Sequence, residues 1–192
     1  INFWKFLLTR RLKFAVSGGA PLDPQISEFF YSCGILILEG YGLTETTAAV
    51  TVNTPFKFKF GTVGSPIGEV KVKIADDGEI FIKSDKVMTG YYKDEAATKE
   101  VMHNGWFATG DIGQILPSGE IKITDRKKDL IKTAGGKYVA PQRLENLLKL
   151  SPLVSQVLIH GDQKKFIVAL ITLDKVHLKE WAKRHEVSFQ NW

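Results

Sequence analysis

Apolar residues alternate with polar or small ones at Leu12, Phe14 and Val16, which predicts a strand over Arg11–Val16. Asp23-Pro24 then supplies a helix N-cap followed by proline at the first helical position. The helix it starts has an apolar face of Ile26, Phe29, Phe30 and Cys33, spaced i, i+3, i+4, i+7, and Gly34 ends it. Ile35–Leu38 is a continuous apolar run, the pattern of a strand buried on both faces. Strand, helix and strand in this order predict a right-handed βαβ unit with parallel strands. Both strands end at one sheet edge and both run into small, glycine-bearing loops, Ser17–Pro21 and Glu39–Glu45. Open α/β sheets bind ligands at the carboxyl ends of their strands, so the two loops are expected to form one site.

The pattern then changes. Val70, Val72 and Ile74 alternate with charged residues, Asp77-Gly78 offers a tight turn, and Ile80 and Ile82 resume the alternation. A second hairpin is expected from Ile112 to Ile123 around Pro117-Ser118-Gly119. From Asp125 on, a charged junction leads to Gly135-Gly136, then to a short helix beginning at Pro141 with Leu144, Leu147 and Leu148 inward. Val154–Ile159 and Phe166–Leu173 read as a hairpin, and Asp174 caps a last amphipathic helix through Leu178, Trp181 and Ala182. The fold class is thus mixed α/β and α+β. A βαβ piece of a parallel sheet occupies 1–59, a small antiparallel β domain 60–124, and an α+β segment 125–192.

Composition narrows the function. Hydrophobic residues at 44% and charged residues at 24% exclude wholesale disorder, and the longest apolar run, Phe166–Leu173, is far too short to span a membrane. A lone Cys33, placed on an apolar helix face and expected in the core, suits a reducing cytoplasm. The net charge of +5 divides unevenly: residues 1–124 carry 13 Lys/Arg against 14 Asp/Glu, and residues 125–192 carry 13 against 7. A basic half points to a polyanion such as nucleotide phosphates, nucleic acid or an acidic membrane surface. The four histidines have no metal-ligand spacing. Phe56-Lys-Phe-Lys-Phe60 reads as a loop with its aromatics tucked inward rather than a nucleic-acid platform. The basic face of Val176–His185 reads as solvated, with peripheral contact to the inner face of a membrane as the alternative.

The chemistry sits in short motifs. In Tyr41-Gly-Leu-Thr-Glu45 an aromatic face can stack on a base, a hydroxyl can reach a phosphate oxygen, and a carboxylate can hold Mg²⁺; a plain polar loop is the other reading. Asp111 follows Thr109-Gly110 at an expected turn, where its two oxygens can accept two hydroxyls or cap the turn. Ser17-Gly-Gly-Ala-Pro-Leu22, Tyr41–Glu45, Gly61-Thr-Val-Gly-Ser-Pro66, Trp106-Phe-Ala-Thr-Gly-Asp111 and Asp125-Arg-Lys-Lys-Asp-Leu-Ile-Lys132 occur in that order. Five such motifs make the chain closely resemble the acyl-adenylate-forming, or AMP-binding, superfamily from about Leu12 to its end. Thr133-Ala-Gly-Gly-Lys-Tyr-Val-Ala-Pro-Gln142 looks most like the long-chain fatty acid–CoA ligases.

The resemblance implies a two-step ligase using ATP, Mg²⁺ and coenzyme A, with small molecules as partners and no nucleic acid. Residues 1–59 would end the large adenylating domain, and 125–192 would hold the hinge and part of a mobile C-terminal domain. It implies that Tyr41 stacks on adenine with Gly18, Gly19 and Ala20 on the other side, and that Glu39 and Gly40 border the adenine edge. Thr44 would bind the α-phosphate, Glu45 the Mg²⁺, and Asp111 the ribose hydroxyls, with Arg126 adding a ribose or phosphate contact. Lys128 matches the hinge position, where many relatives carry Asp, while Lys127 reads as a solvated charge. Lys132 would reach phosphates, and Gly135 and Gly136 would line the pantetheine path beside Lys137. Trp106 reads as packing at the rim.

Such a ligase also carries an upstream Ser/Thr/Gly-rich loop ending in Pro-Lys-Gly and a lysine near its C-terminus, and neither occurs in these residues. With Ile1 first and Asn191-Trp192 last, a piece of a larger enzyme is expected, inactive by itself and with exposed apolar surface near residues 1–50 that favours self-association. Other readings are a ligase for aryl or medium-chain acids, or a non-catalytic nucleotide-binding module.

Overall fold

A computed structural model describes residues 12–188. The expected strand start at Arg11 and the terminal Asn191-Trp192 lie outside the described residues. The chain divides into two compact units between Lys127 and Lys128.

The first unit opens with the anticipated βαβ crossover. Strand β1 (Ala15–Ser17) runs parallel to β2 (Ile37–Leu43), with Ser17 opposite Glu39, and helix α1 (Pro24–Ser32) connects them. Asp23 caps α1 by accepting from the Gln25 N–H at 2.8 Å, and Gly34 leaves it with φ of 85°. The burial of this piece differs from the pattern's promise. Leu12, Phe14, Val16, Ile26 and Phe29 are exposed, Cys33 is only half-buried, and among α1's residues it is Ser27 that is buried. An apolar stripe is buried only where something packs on it, and most of this one has no such cover among the described residues.

Beyond Glu39, β2 changes partner. Gly40–Leu43 pair antiparallel with β3 (Ala48–Val52) through the 3-10 turn Thr44–Thr46, and β3 pairs the short β4 (Ser65–Pro66). Glu39–Leu43 is therefore strand rather than the expected loop. Gly42 makes the hairpin: a Cβ there would lie 1.9 Å from the Ala48 carbonyl oxygen.

A second sheet follows. Strands β5 (Lys71–Ile74) and β6 (Glu79–Lys83) form the first anticipated hairpin. Helix α2 (Glu95–Val101) leads into β7 (Met102–His103), and β8 (Trp106–Ile115) joins β9 (Ile121–Arg126) as the second hairpin. The order is β5-β6-β8-β7, with β9 also pairing β8. Val50 from β3 shares one core with Val70, Ile80, Ile82 and Ile121, and Tyr41 packs against it. Tyr31 gathers Phe58 and Phe60 at 5.5–5.7 Å between ring centroids, while Phe56 points outward.

In the second unit, β10 (Ile131–Lys132) and β11 (Tyr138–Val139) form a small hairpin, and α3 (Pro141–Lys149) packs on β12 (Val154–His160), which pairs β13 (Val168–Leu173). Its core is Ile131, Val157 and Ile159. Leu144 joins that core, whereas Leu147 and Leu148 are exposed instead of inward, because the helix meets β12 through Leu144 and Glu145, whose Oε1 accepts from the Ile159 N–H at 2.9 Å. Asp174 caps α4 (Lys175–Arg184) through the Val176 and His177 N–H groups. No helix among the described residues is long and apolar enough to cross a membrane.

Candidate nucleotide site

The parallel β1–β2 ladder sets the first side. Ser17 opposite Glu39 brings Gly18 against Gly40, where a Cβ on Gly18 would lie 3.2 Å from the Gly40 carbonyl oxygen. Gly18 thus lies beside Gly40, while a Cβ on Gly19 would meet nothing within 4 Å. Glu39 is 8% exposed, and burial pushes its carboxyl up to about 7, against opposing hydrogen bonds from the Leu22 and Gly61 backbones. Its carbonyl accepts from the Asn53 N–H at 2.8 Å.

The second side comes from β8. Opposite β6, Ala108 pairs Phe81 and Ile112 pairs Glu79, so Thr109, Gly110 and Asp111 together face the single Ile80. The extra residues arch out of the ladder. Asp111 therefore stands on a strand bulge and not at the expected turn. The Thr109 hydroxyl donates to the Ile80 carbonyl at 2.8 Å and accepts from the Asp111 N–H at 3.1 Å. The left-handed φ of 73° at Gly110 suits glycine and turns its N–H to Glu79 Oε1 at 2.9 Å.

Asp111 joins the two sides. Its Oδ2 accepts from the Tyr41 hydroxyl at 2.5 Å, and its Oδ1 accepts from Arg126 Nε at 3.1 Å. Arg126 is its register partner on β9 and keeps its side chain half out in solvent. Burial, and then the Asp111 charge and hydrogen bond, raise the Tyr41 phenol well above its ordinary range, so it remains a donor. Glu45 is the middle residue of the 3-10 turn, its backbone carbonyl taken by the Met88 N–H at 2.7 Å and its Oε1 by the Tyr91 hydroxyl at 2.9 Å. Thr44 beside it is exposed.

Lys128 and Lys132 are exposed residues of the second unit, and Lys132 Nζ stands 5.5 Å from the Tyr138 ring centroid. Gly135 and Gly136 form the exposed tip of the β10–β11 hairpin. The φ of 79° at Gly136 explains glycine there, and nothing local explains it at Gly135. Trp106 packs under Lys73, whose Nζ is 4.5 Å from its ring centroid. Lys127, read as a solvated charge, is instead ion-paired to Asp77 and Glu79, both at 2.6 Å. Tyr91 carries no signal of its own, Glu79 only a charge at the start of an apolar strand pattern, and Thr109 falls within the Trp106–Asp111 motif without an assigned role.

Residues 5–92 match the AMP-binding enzyme family. It is 46% identical over 171 residues to the long-chain-fatty-acid–CoA ligase FadD15 of Mycobacterium tuberculosis, covering 89% of this chain and spanning only 28% of that protein's length. Its fold is similar to o-succinylbenzoate CoA synthetase of Bacillus subtilis in complex with the acyl-adenylate intermediate OSB-AMP. The TM-score is 0.79 and the identity 27%, over 98% of this chain and 44% of that one. The same synthetase with ATP and a magnesium ion gives a TM-score of 0.75 and 29% identity, over 90% and 40%.

Proposed function

We propose that these residues belong to an AMP-forming long-chain fatty acid–CoA ligase. A fatty carboxylate attacks the α-phosphorus of ATP, releasing pyrophosphate and leaving acyl-AMP, and the CoA thiol then displaces AMP. The reading rests on the Tyr41–Asp111–Arg126 constellation. Asp111, 4% exposed, sits between a phenol and a guanidinium and can accept two ribose hydroxyls once a nucleotide displaces one of them. Tyr41 then offers its ring to adenine, with the Gly18–Ala20 backbone opposite, and Glu39 and Gly40 border its edge. Thr44 is free to meet the α-phosphate.

Glu45 fits Mg²⁺. Tyr91 occupies one carboxylate oxygen and leaves the other available, and no group of three or more His, Cys, Asp or Glu forms a closed cage among the described residues. A single carboxylate beside phosphates is how Mg²⁺ is usually held. When bound it neutralises phosphate charge. The chain's own residues position and orient, which is most of what phosphoryl-type chemistry requires. Lys128 would serve as the hinge, and Lys132, Gly135 and Gly136 would face CoA.

The 192-residue chain by itself is expected to make no acyl-CoA from fatty acid, ATP and CoA, whereas the complete polypeptide makes it. Detectable ligase activity in the isolated chain contradicts the part-enzyme reading. A complete polypeptide that binds AMP yet forms no acyl-adenylate with any acid favours the binding-module reading instead.

A further inference from the structure

Asp111 and Arg126 are opposite one another on β8 and β9, and each has a neighbour held by the same buried carboxylate. Glu79, on β6, is 7% exposed. Its Oε1 accepts from the N–H of Gly110, the residue before Asp111, at 2.9 Å. Its Oε2 accepts from the ammonium of Lys127, the residue after Arg126, at 2.6 Å. Asp77 shares that ammonium at 2.6 Å. Gly110 can turn its N–H inward only because its φ is 73°.

We propose that Glu79 and Lys127 form a latch that positions the Asp111–Arg126 pair for the ribose of the nucleotide. Both are positioning residues, since neither needs to touch the ligand. The inference deepens the nucleotide-site reading and rests on it.

Three observations converge on this role. A carboxylate this buried is costly unless every oxygen is partnered, and both oxygens of Glu79 are. The hydrogen bonds to Asp77 and Glu79 hold the Lys127 ammonium above its ordinary range, so that ammonium stays charged at neutral pH. The bulge at Thr109–Asp111 breaks the β6–β8 ladder where Asp111 leaves it, so Glu79 and the Thr109 hydroxyl replace the missing backbone bonds.

The test measures, on the complete polypeptide, calorimetric affinities for AMP and for 2′,3′-dideoxy-AMP, with melting temperatures alongside. Glu79→Gln keeps an acceptor for Gly110 but loses the ion pair, and Lys127→Met keeps the stem without the charge. Each is expected to weaken AMP binding about tenfold while leaving dideoxy-AMP binding unchanged, and Lys127→Arg is expected to restore AMP binding. If Asp111→Asn abolishes the preference for AMP while Glu79→Gln and Lys127→Met retain it, the latch is overturned and the ribose reading stands. A wild-type protein that binds both nucleotides equally overturns the ribose reading and the latch with it. Should Glu79→Gln unfold, Lys127→Met with its Arg rescue decides alone, because that side chain is 45% exposed.

Discussion

Two strands of similar apolar content meet opposite fates. In β6, Ile80 and Ile82 are wholly buried, whereas in β13, whose sequence Val-Ala-Leu-Ile-Thr-Leu has fewer polar residues, every residue is exposed and Leu170 is 69% so. The difference lies in neighbours. β6 has β5 on one edge and β8 on the other, and Val50, Val70 and Ile121 close over its inner face. β13 pairs only β12 among the described residues, and α3 packs on β12. Composition makes a strand eligible for burial, and the elements around it decide how much burial it gets. Chemistry follows the same division. The closed unit carries Asp111, Tyr41 and Glu79 with fixed partners, while the candidate residues of the second unit stand at exposed positions.

The sharpest test of this contrast is a cavity. Ile80→Ala is expected to cost about 4 kcal/mol in the first unit, read as a lower urea midpoint of the transition that reports on that unit. A loss under about 1 kcal/mol would mean that this core is no tighter than the other. The next effect is electrostatic. Glu39 titrates near 7 in the folded protein and near 4.5 when unfolded, so between these values the folded state keeps a proton that the unfolded chain has released. Raising the pH through that window should weaken the first unit by up to about 3 kcal/mol, with full stability below it. Glu39→Gln should remove this pH dependence, and its persistence would place the titration elsewhere. The smallest effect belongs to β13. Leu170→Ser is expected to change stability by no more than about 0.5 kcal/mol. A large loss would show that this face is covered in solution.

Local signals revealed much of the framework. Asp23-Pro24 marked the start of α1, Asp77-Gly78 the turn between β5 and β6, and Asp174 the start of α4. Motif order led to Tyr41, Asp111 and Arg126, and the fold brings these three into one hydrogen-bonded group. The sequence pattern misassigned Glu39–Leu43 as loop, because a strand that exchanges a parallel partner for an antiparallel one shows no local sign of the exchange. It also left Lys127 solvated, because its partners Asp77 and Glu79 lie about fifty residues away along the chain.

The sequence by itself determined the caps, the tight turns, the βαβ order, the two hairpins of the first unit and the kinship with adenylate-forming enzymes, since each is written in residues a few positions apart. Tertiary structure alone decided which apolar faces are covered, where β8 bulges to present Asp111, and which carboxylate holds Gly110 and Lys127 together. Those outcomes depend on strands distant in sequence arriving side by side, and burial and ion pairing are properties of the assembled neighbours rather than of any one segment.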